Sequence, residues 1–424
     1  MIRLLIIADD FTGALDTGVK FSAAGASTKI ITDVHTNFTG DGPEVLVLCV
    51  PTRHLSPREA YEAVRPVVER AAAAGIACIF KKTDSALRGN VGAELEATLD
   101  GSGQQELCFI PALPKMKRVT LDGIHYIDGV PVSQSVFGQD PFEPVTESYV
   151  PSLMALQSDV PVQVIPRDSQ ELRLSDEKCI YLFDCGSQED LERQLTMLRD
   201  RGLLKVLAGC SGLAESLPAY LGLSGGYAKA YEKTTDRLLV ICGSVNPISS
   251  GQLDLAEQNG IPRIHLSMER LLGEDPQCAA AFQETADQLW AAYQNSSALV
   301  VDTLSGSGDA SVMEETAEWN LEEIRQRVSQ RIAALLRELL DRGADARILI
   351  IGGDTLLAFL EATHCTELIP LGEPTPGVVL SLINYCGKQY EILSKSGGFG
   401  EEDLILTLLR QPEYAVSGFA GAAV

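Results

Sequence analysis

Residues 4–13 read LLIIADDFTG, and this stretch decides the fold of the chain. The apolar run Leu4–Ala8 predicts a buried strand of a parallel sheet, which ends where Asp9 and Asp10 begin. Residues 14–24 have the composition of a helix. Ligands of open α/β sheets bind beyond the carboxyl ends of the strands, where both aspartates would lie. The pair therefore indicates a site for a polyhydroxy or cationic group, unless one aspartate only caps the helix and the other faces water.

Strand-sized apolar runs alternate with helical segments after this stretch, as is typical of a mostly parallel sheet covered by helices. In the first half, strands are predicted at residues 45–50, 76–80, 107–110, 179–184 and 203–208, and helices at residues 57–74, 91–99, 188–200 and 212–221. Ser56 and Pro57 favour a helix start, as N-cap and first helical residue. Asp128 and Gly129 predict a β-hairpin turn in the irregular stretch between these elements.

A second run of this kind follows residues 221–236, whose small and polar residues predict a domain boundary. Strands are predicted here at residues 237–241, 264–266, 298–303, 347–351, 378–383 and 390–393, and helices at residues 249–258, 279–293 and 320–340. Residues past Arg410 are predicted to form a tail of small residues. A chain of 424 residues is too long for one ordinary core. We therefore expect two three-layer α/β domains, residues 1–225 and residues 236–424.

The formal charge of -24 argues against nucleic acid or an anionic membrane as a partner, because both are polyanions. A phosphate-bearing ligand remains possible, since one pocket can be positive in an acidic protein. The longest apolar runs are strand-sized, so no segment is predicted to span a bilayer. The ten cysteines form no Cys-x-x-Cys pair, and the five histidines have no metal-ligand spacing. This pattern predicts a cytoplasmic protein with reduced core cysteines and no zinc site.

Residues 80–90, FKKTDSALRGN, follow a predicted strand and precede a predicted helix. Lys82 and Arg88 could donate charge-assisted hydrogen bonds to a carboxylate or phosphate, and Asp84 could orient or deprotonate a hydroxyl. The alternative is a solvated charged run with Asp84 or Ser85 as a helix N-cap. We favour a binding site, because a helix cap does not require the three cations of this segment.

Arg53 lies just past the strand that ends at Val50. Its guanidinium could clamp a substrate carboxylate bidentately, or it could pair with a surface acid. The first interpretation is favoured because Arg53 is expected at the same sheet edge as Asp10 and Lys82.

Three turns rich in glycine and hydroxyl residues each follow a strand of the second half, namely CGSVNP (242–247), GGDT (352–355) and SKSGGFG (394–400). Such turns before helix N-termini expose backbone N–H groups that can cradle phosphates. Three of them at one sheet edge favour a nucleotide phosphate site. A fourth candidate, SGSGD at residues 305–309, could equally be a flexible loop. No Walker-A or dinucleotide-binding fingerprint is present.

Motifs in both halves resemble those of the four-carbon acid sugar kinase family. They are IADDFTGALDTG (7–18), KKTDSALRGN (81–90), FIPALPKMKR (109–118) with DGIHYIDGVPV (122–132), and the three turns above. The resemblance covers essentially the whole chain. It implies ATP-dependent phosphorylation of the terminal hydroxyl of a four-carbon sugar acid, with threonate, erythronate and 3-oxo-tetronate as candidates. It also implies an N-terminal substrate domain and a C-terminal nucleotide domain that close over an active-site cleft.

The resemblance carries over two sets of residues by motif. The sugar-acid site would comprise Asp10, Arg53, Lys82, Thr83, Asp84, Ser85 and Arg88. The ATP contacts would comprise Ser244, Gly352, Gly353, Asp354, Thr355 and Gly398. Asp354 stands where glutamate is common in the family, and Gly398 stands where asparagine is common. These two differences leave the subfamily, and hence the substrate, open.

The implied mechanism uses Asp10 or Asp84 to accept the proton of the attacking hydroxyl, while Mg²⁺ bridges the β- and γ-phosphates of ATP. Asp354 would contact the metal only indirectly, so no direct metal ligand is assigned. The expected partners are the sugar acid and ATP. A homodimer is compatible with the sequence, although no stripe of apolar surface residues stands out. A sensor that binds both ligands without turnover and a sugar-acid dehydrogenase are the alternatives. The intact cationic cluster and turns argue against the first, and the missing dinucleotide fingerprint argues against the second.

Overall fold

The computed structural model describes residues 1–140, 143–224, 228–267, 271–272, 276–303, 321–411 and 413–417. The chain forms two compact units, the second of which comprises residues 228–416, while Ser417 groups with the first. The candidate turn at residues 305–309, the predicted first residue of the helix at 320–340 and the last seven residues of the predicted tail lie outside the described residues. In the described part of the chain, no helix combines the length and the apolar character needed to cross a membrane.

The first unit contains a parallel sheet and a small antiparallel sheet. Its strands are β1 (Leu4–Ala8), β2 (Thr28–Ile31), β3 (Val45–Cys49), β4 (Cys78–Lys82), β5 (Glu106–Ile110), β6 (Arg118–Leu121), β7 (Ile124–Ile127), β8 (Val130–Pro131), β9 (Val162–Ile165), β10 (Cys179–Phe183) and β11 (Val206–Gly209). The parallel series runs β2-β3-β1-β4-β11-β5-β10-β9. Strands β6, β7 and β8 form the antiparallel sheet. The central strands are fully buried, which explains their continuous apolar sequences.

Helices cover this sheet in two groups. They are α1 (Phe11–Ala23), α2 (Pro57–Ala73), α3 (Val91–Ser102), α4 (Val150–Ala155), α5 (Gln188–Asp200) and α6 (Ser211–Tyr220). Helix α6 packs against α1 and α5, whereas α3 packs against α2 and α4. Helix α1 leads from β1 towards β2, and α2 leads from β3 back across β1 to β4. The two crossovers run in opposite directions along the sheet, and since both are right-handed, α1 and α2 lie on opposite faces. β1 is therefore the switch point of the sheet, where the strand order reverses.

Local sequence signals account for two of these elements. Helix α2 begins with a reciprocal cap, in which the Ser56 hydroxyl accepts from the Glu59 N–H and the Glu59 carboxylate accepts from the Ser56 N–H. Asp128 and Gly129 both have positive φ, at 51° and 81°, and they connect β7 to β8. A two-residue hairpin turn of this kind matches the twist of its strands. Both predictions are confirmed.

The second unit contains a mixed sheet. Its strands are β12 (Ala228–Glu232), β13 (Leu238–Cys242), β14 (Arg263–His265), β15 (Ala298–Asp302), β16 (Arg347–Ile351), β17 (Glu367–Thr375), β18 (Val378–Tyr385), β19 (Lys388–Lys395) and β20 (Glu413–Ser417). The series runs β14-β15-β13-β16-β19-β18-β17, with parallel pairing as far as β19 and antiparallel pairing beyond it. Strands β12 and β20 form a separate pair. The helices are α7 (Pro247–Gln258), α8 (Pro276–Gln294), α9 (Leu321–Asp341), α10 (Gly353–Thr363) and α11 (Leu404–Arg410).

Several elements differ from the sequence prediction, and three of these differences have a clear local cause. Strand β17 was not predicted, because its Pro370 and Gly372 interrupt the apolar pattern, and both lie where the pairing register shifts. The predicted tail beyond Arg410 contains β20. The helix after β4 is capped neither by Asp84 nor by Ser85, since it starts after Asn90.

Candidate active site

The carboxyl ends of β1, β3 and β4 form one edge of the first unit. The strand register places Ala8 beside Cys49 on one side and beside Lys82 on the other. The residues that follow each strand therefore emerge together. This edge brings together the seven predicted sugar-acid residues, Asp10, Arg53, Lys82, Thr83, Asp84, Ser85 and Arg88.

Asp10 caps helix α1, because its Oδ1 accepts from the Gly13 N–H at 2.9 Å. The capping interpretation of this residue is therefore correct, but Asp9 is buried and does not face water. A Cβ atom at position 13 would lie 2.5 Å from Asp10 Oδ1 and 3.0 Å from Lys82 Nζ. Glycine thus permits the Lys82 ammonium to approach the start of α1 closely.

The Arg53 guanidinium joins the aspartates of this edge. Its Nε lies 2.8 Å from Asp9 Oδ2, its Nη1 lies 3.1 Å from Asp10 Oδ2, and its Nη2 lies 3.0 Å from Asp10 Oδ1. Asp84 Oδ1 is 3.9 Å from Nη2. Each nitrogen of the guanidinium therefore faces a carboxylate of the protein. A substrate carboxylate that used Arg53 would have to compete with these aspartates.

Asp84 is held by charge and by the backbone. Arg88 donates to both of its oxygens at 3.0 Å, and the Ala86 N–H donates to Oδ2 at 3.0 Å. Arg88 also donates to Asp140 Oδ2 at 3.2 Å and lies over the Phe137 ring, 5.3 Å from its centroid. Burial alone would raise the pKa of Asp84, but the Arg53 and Arg88 guanidiniums hold it far below its ordinary value. Asp84 is therefore an ionised anchor for Arg88.

The carboxylates of this edge differ in basicity. Burial opposes ionisation of Asp9, yet Arg53 and the neighbouring lysines hold its pKa below the ordinary value. Burial, together with the charges of Asp9 and Asp84, raises the pKa of Asp10 despite its contact with Arg53. The Asp10 side chain is also 27% exposed, compared with 10% for Asp84. Asp10 is consequently the better placed of the two predicted bases.

Lys81 and Lys82 have separate environments, because successive residues of a strand point to opposite faces. Lys81 is fully buried, and its Nζ lies 2.7 Å from Glu94 Oε2. Glu94 Oε1 accepts from the Thr52 hydroxyl. Lys82 Nζ donates to the Thr83 carbonyl at 2.9 Å. Through Glu94, the Lys81–Glu94 pair thus links the end of β4 to Thr52, which follows β3. The sequence analysis assigned this role to neither residue.

Ser85 contacts the small antiparallel sheet. Its Oγ accepts from Arg118 Nη1, and its carbonyl oxygen lies 3.0 Å from His125 Nε2. His125 Nδ1 lies 3.0 Å from the Thr120 hydroxyl. Burial lowers the pKa of His125 to about 4, so this histidine is neutral at pH 7. The motif that contains Arg118 contributed to the family resemblance, but the sequence analysis assigned it no role.

The Thr83 hydroxyl has a distinct environment. Its Oγ1 is buried and has no hydrogen-bond partner in the described part of the chain. Its backbone N–H donates to the Gly209 carbonyl of β11 at 2.9 Å. The main chain of Thr83 is therefore fixed, while its hydroxyl keeps its hydrogen-bonding capacity.

The three glycine-rich turns of the second unit also meet at one sheet edge. Cys242 pairs with Ile351, and Ile351 pairs with Lys395, so the turns after β13, β16 and β19 are neighbours. A Cβ at position 243 would lie 2.1 Å from Thr355 Oγ1, and a Cβ at position 397 would lie 2.1 Å from Ser244 Oγ. Only glycine allows the turns to pack this closely.

Helix α10 starts directly at the second turn. Gly352 is its N-cap, has a φ of 120° and provides no side-chain cap, so the N–H groups of the first turn are not capped by that residue. Asp354 in this turn has an exposed carboxylate, with Oδ2 3.6 Å from Arg325 Nε. Gly398, in the third turn, lies beside Asn246, since its Cβ position is 3.5 Å from Asn246 Nδ2. The predicted ATP residues thus converge, and their N–H groups suit a phosphate.

Lys395 supports the third turn from inside. Its buried Nζ donates to the carbonyls of Ser396, Gly397 and Phe399 at 3.1, 3.1 and 2.9 Å. It also lies 3.4 Å from the Ser249 hydroxyl, which itself donates to the Gly397 carbonyl. Burial lowers the pKa of Lys395 to about 8. The sequence analysis quoted this lysine within its motif without assigning it a role.

Within the described ranges, no cluster of three or more histidine, cysteine, aspartate or glutamate side chains is arranged to hold a metal ion. Nine of the ten cysteines have described side chains, and of these nine all are free and eight are buried.

Comparisons with known proteins assign both units. A family model described as a sugar-binding N-terminal domain matches residues 4–217, and one described as a nucleotide-binding C-terminal domain matches residues 239–405. Crystal structures from Salmonella typhimurium LT2 and Haemophilus influenzae share the fold, with TM-scores of 0.80 and 0.72. The first covers 97% of this chain and 99% of its own at 24% identity, and the second covers 94% and 97% at 21% identity.

Curated relatives span nearly the whole chain. A D-threonate kinase from Salmonella typhimurium is 25% identical and covers 96% of this chain and 98% of its own length. A D-erythronate kinase from Heliobacterium modesticaldum is 26% identical, with 96% coverage of both chains. A 3-oxo-tetronate kinase from Escherichia coli is 28% identical and covers 84% of this chain and 94% of its own. The resemblance seen in the sequence is confirmed: this chain belongs to the four-carbon acid sugar kinase family, a group of phosphotransferases with an alcohol group as acceptor.

Proposed function

We propose that the protein transfers the γ-phosphoryl group of Mg-ATP to the 4-hydroxyl of a four-carbon sugar acid, with D-threonate as the first candidate. The placement of Asp10 carries this proposal, because it is a partly exposed carboxylate with a raised pKa at the switch point of the first sheet. D-Threonate kinases from two organisms are 25% and 27% identical to the chain, close to the 26% and 28% of the kinases that act on D-erythronate and 3-oxo-tetronate. D-Erythronate and 3-oxo-tetronate are the alternative acceptors.

The acceptor hydroxyl would donate its proton to Asp10. A carboxylate with a raised pKa accepts a proton more readily than the stabilised carboxylates of Asp9 and Asp84. Arg53 holds Asp10 in one orientation, and Lys82 supplies positive charge at the start of α1. The hydroxyls of Thr83 and Ser85 would bind the hydroxyls of the sugar acid. Phosphoryl transfer depends mainly on this kind of positioning and charge neutralisation.

The nucleotide would bind to the turns of the second unit, with its phosphates against Ser244, the first turn of α10 and Gly398. The uncapped start of α10 and the close packing of Gly243 and Gly397 fit a phosphate group. The exposed carboxylate of Asp354 is an oxygen donor of the type that Mg²⁺ prefers, and it would reach the ion through water. When bound, Mg²⁺ would neutralise charge on the β- and γ-phosphates.

Coupled ADP release with Mg-ATP, D- and L-threonate, D- and L-erythronate and 3-oxo-tetronate tests the proposed function. Strong turnover on one acid identifies the substrate, whereas silence on all five with intact ATP binding rejects the proposal. Asp10→Asn is expected to lower kcat by about 10²- to 10⁴-fold while acid binding persists. Asp84→Asn is expected to impair acid binding as well, because the Asp84 carboxylate fixes the segment that carries Ser85 through the Ala86 N–H and Arg88. A loss of less than about tenfold in kcat for Asp10→Asn would exclude it as the base.

A further inference from the structure

We call the carboxyl ends of β1, β3 and β4 the acceptor edge. The cations at this edge differ in how many carboxylates of the protein lie beside them. Arg53 is paired with Asp9 and Asp10, and Lys81 is paired with Glu94. Arg88 is paired with two other aspartates, Asp84 and Asp140. These three cations are neutralised by the protein itself. They are therefore poor candidates for binding a further carboxylate.

Two cations of this edge, Lys82 and Arg118, have no carboxylate within 4.0 Å in the part of the chain that the structure describes. Lys82 lies close to the three aspartates of the edge and lowers the pKa of each of them. Arg118 shows no comparable pairing with an acid. Its recorded contacts are the Ser85 hydroxyl and the face of the Phe137 ring, 5.1 Å from its centroid.

The surroundings of Arg118 fix its position. The guanidiniums of Arg118 and Arg88 both lie over the Phe137 ring, 5.1 and 5.3 Å from its centroid. Neutral His125 contacts the carbonyl of Ser85, the residue whose hydroxyl Arg118 contacts. Arg118 is only partly buried, and among the described residues its guanidinium donates a side-chain hydrogen bond to Ser85 through Nη1 alone. A planar guanidinium with donors to spare matches a carboxylate bidentately.

We propose that Arg118 binds the carboxylate of the acceptor and is the residue that selects an acid over a neutral polyol. The proposal rests on the proposed function and adds to it a residue that belongs to neither predicted set. Arg53 and Arg88 then organise the aspartates, while Arg118 and the hydroxyl of Ser85 contact the substrate.

Steady-state kinetics with the best four-carbon acid and with threitol or erythritol tests the assignment, because a tetritol keeps the hydroxyl groups and lacks the carboxylate. For Arg118→Met, kcat/KM for the acid is expected to fall by about 10- to 100-fold, mostly through KM, with little change for the tetritol. Arg118→Lys keeps the charge without the fork and should lie between the wild type and Arg118→Met. Arg173→Met is the matched control, since the Arg173 side chain is 89% exposed.

Equal losses for the acid and the tetritol would show that Arg118 only supports Ser85, and they would overturn the proposal. Unchanged acid kinetics in Arg118→Met would overturn it as well. Calorimetric titration of the acid separates this inference from the proposed function. Wild-type binding without turnover, lost in Arg118→Met and kept in Arg173→Met, would reject the kinase activity and retain the carboxylate site. If none of the acids binds to the wild type, both proposals fail.

Discussion

The buried ion pair between Lys81 and Glu94 gives the sharpest prediction about the acceptor edge. Both side chains are almost fully buried, at 0% and 2% exposure, and the charged atoms are 2.7 Å apart. Lys81→Met leaves an unpaired carboxylate in the core, and Glu94→Leu leaves an unpaired ammonium. Each single change is expected to lower the free energy of unfolding by about 3–5 kcal/mol, the usual cost of an uncompensated buried charge.

The double variant is expected to cost far less than the sum of the two single variants. Met and Leu fill similar volumes, and replacement of both charges removes the desolvation cost that the pair carries. The Thr52 hydroxyl keeps an acceptor in the double variant, because the Val50 carbonyl oxygen lies 3.1 Å from its Oγ1. We therefore expect the double variant to be close in stability to the wild type, which corresponds to a coupling energy of several kcal/mol.

Urea unfolding followed by far-ultraviolet circular dichroism measures these differences. Trp290 lies in helix α8 of the second unit, so its fluorescence, measured in a Trp319→Phe background, monitors that unit and serves as an internal control. The fluorescence transition should not move in any of the three variants. Additive losses in the double variant would refute the reasoning, because they would show that the two charges do not compensate each other.

Three further predictions follow from the two edges. Gly397→Ala should raise KM for ATP about tenfold or more, equivalent to about 1.4 kcal/mol, because its Cβ would lie 2.1 Å from Ser244 Oγ, while KM for the acid stays unchanged. Gly251→Ala is the control within a helix, since its Cβ would meet nothing nearer than 3.9 Å. Thermal stability should fall as the pH drops from 6.5 towards 4. His125 has a pKa of about 4 in the folded protein, so over this range the unfolded chain binds a proton that the folded chain does not. His125→Asn should flatten this pH dependence in thermal denaturation. KM for ATP should rise as the pH passes about 8, where Lys395 loses its proton in the folded protein, and a Lys395→Met variant with the same pH profile as the wild type would contradict this assignment.

The strong patterns of the sequence were sufficient to predict the central strands and the residues that follow them. Leu4–Ala8 was recognised because a strand buried on both faces is continuously apolar, and a parallel register then aligns the strand ends. The same logic placed Arg53 and Asp84 near Asp10. Weakly patterned elements were missed, such as Thr28–Ile31, whose four residues include a lysine and a threonine.

Pairing preferences could not be read from the sequence in the same way. Residues 81 and 82 look equivalent as a Lys-Lys pair, yet Lys81 pairs with Glu94 in the core, whereas Lys82 lies beside Asp10 at the start of α1. The partner of Lys81 is Glu94, 13 positions later on the following helix, and no local pattern connects the two. Arg118 approaches Ser85 from a separate antiparallel sheet, so its place depends on tertiary contacts. The residues at strand ends can thus be predicted from local sequence, whereas the partner of each charged side chain there cannot.

The Lys395 ammonium has a consequence for the salt dependence of the enzyme. A cluster of carbonyl and hydroxyl oxygens around a positive charge resembles the coordination shell of a monovalent ion, but here the charge is covalently attached to the neighbouring strand. Because the Lys395 ammonium is part of the chain, it occupies this position whatever ions the surrounding solution contains. The nucleotide turn should therefore keep its shape whether potassium, sodium or an organic cation dominates the buffer. The cell would not need to supply a particular alkali ion for this turn to form.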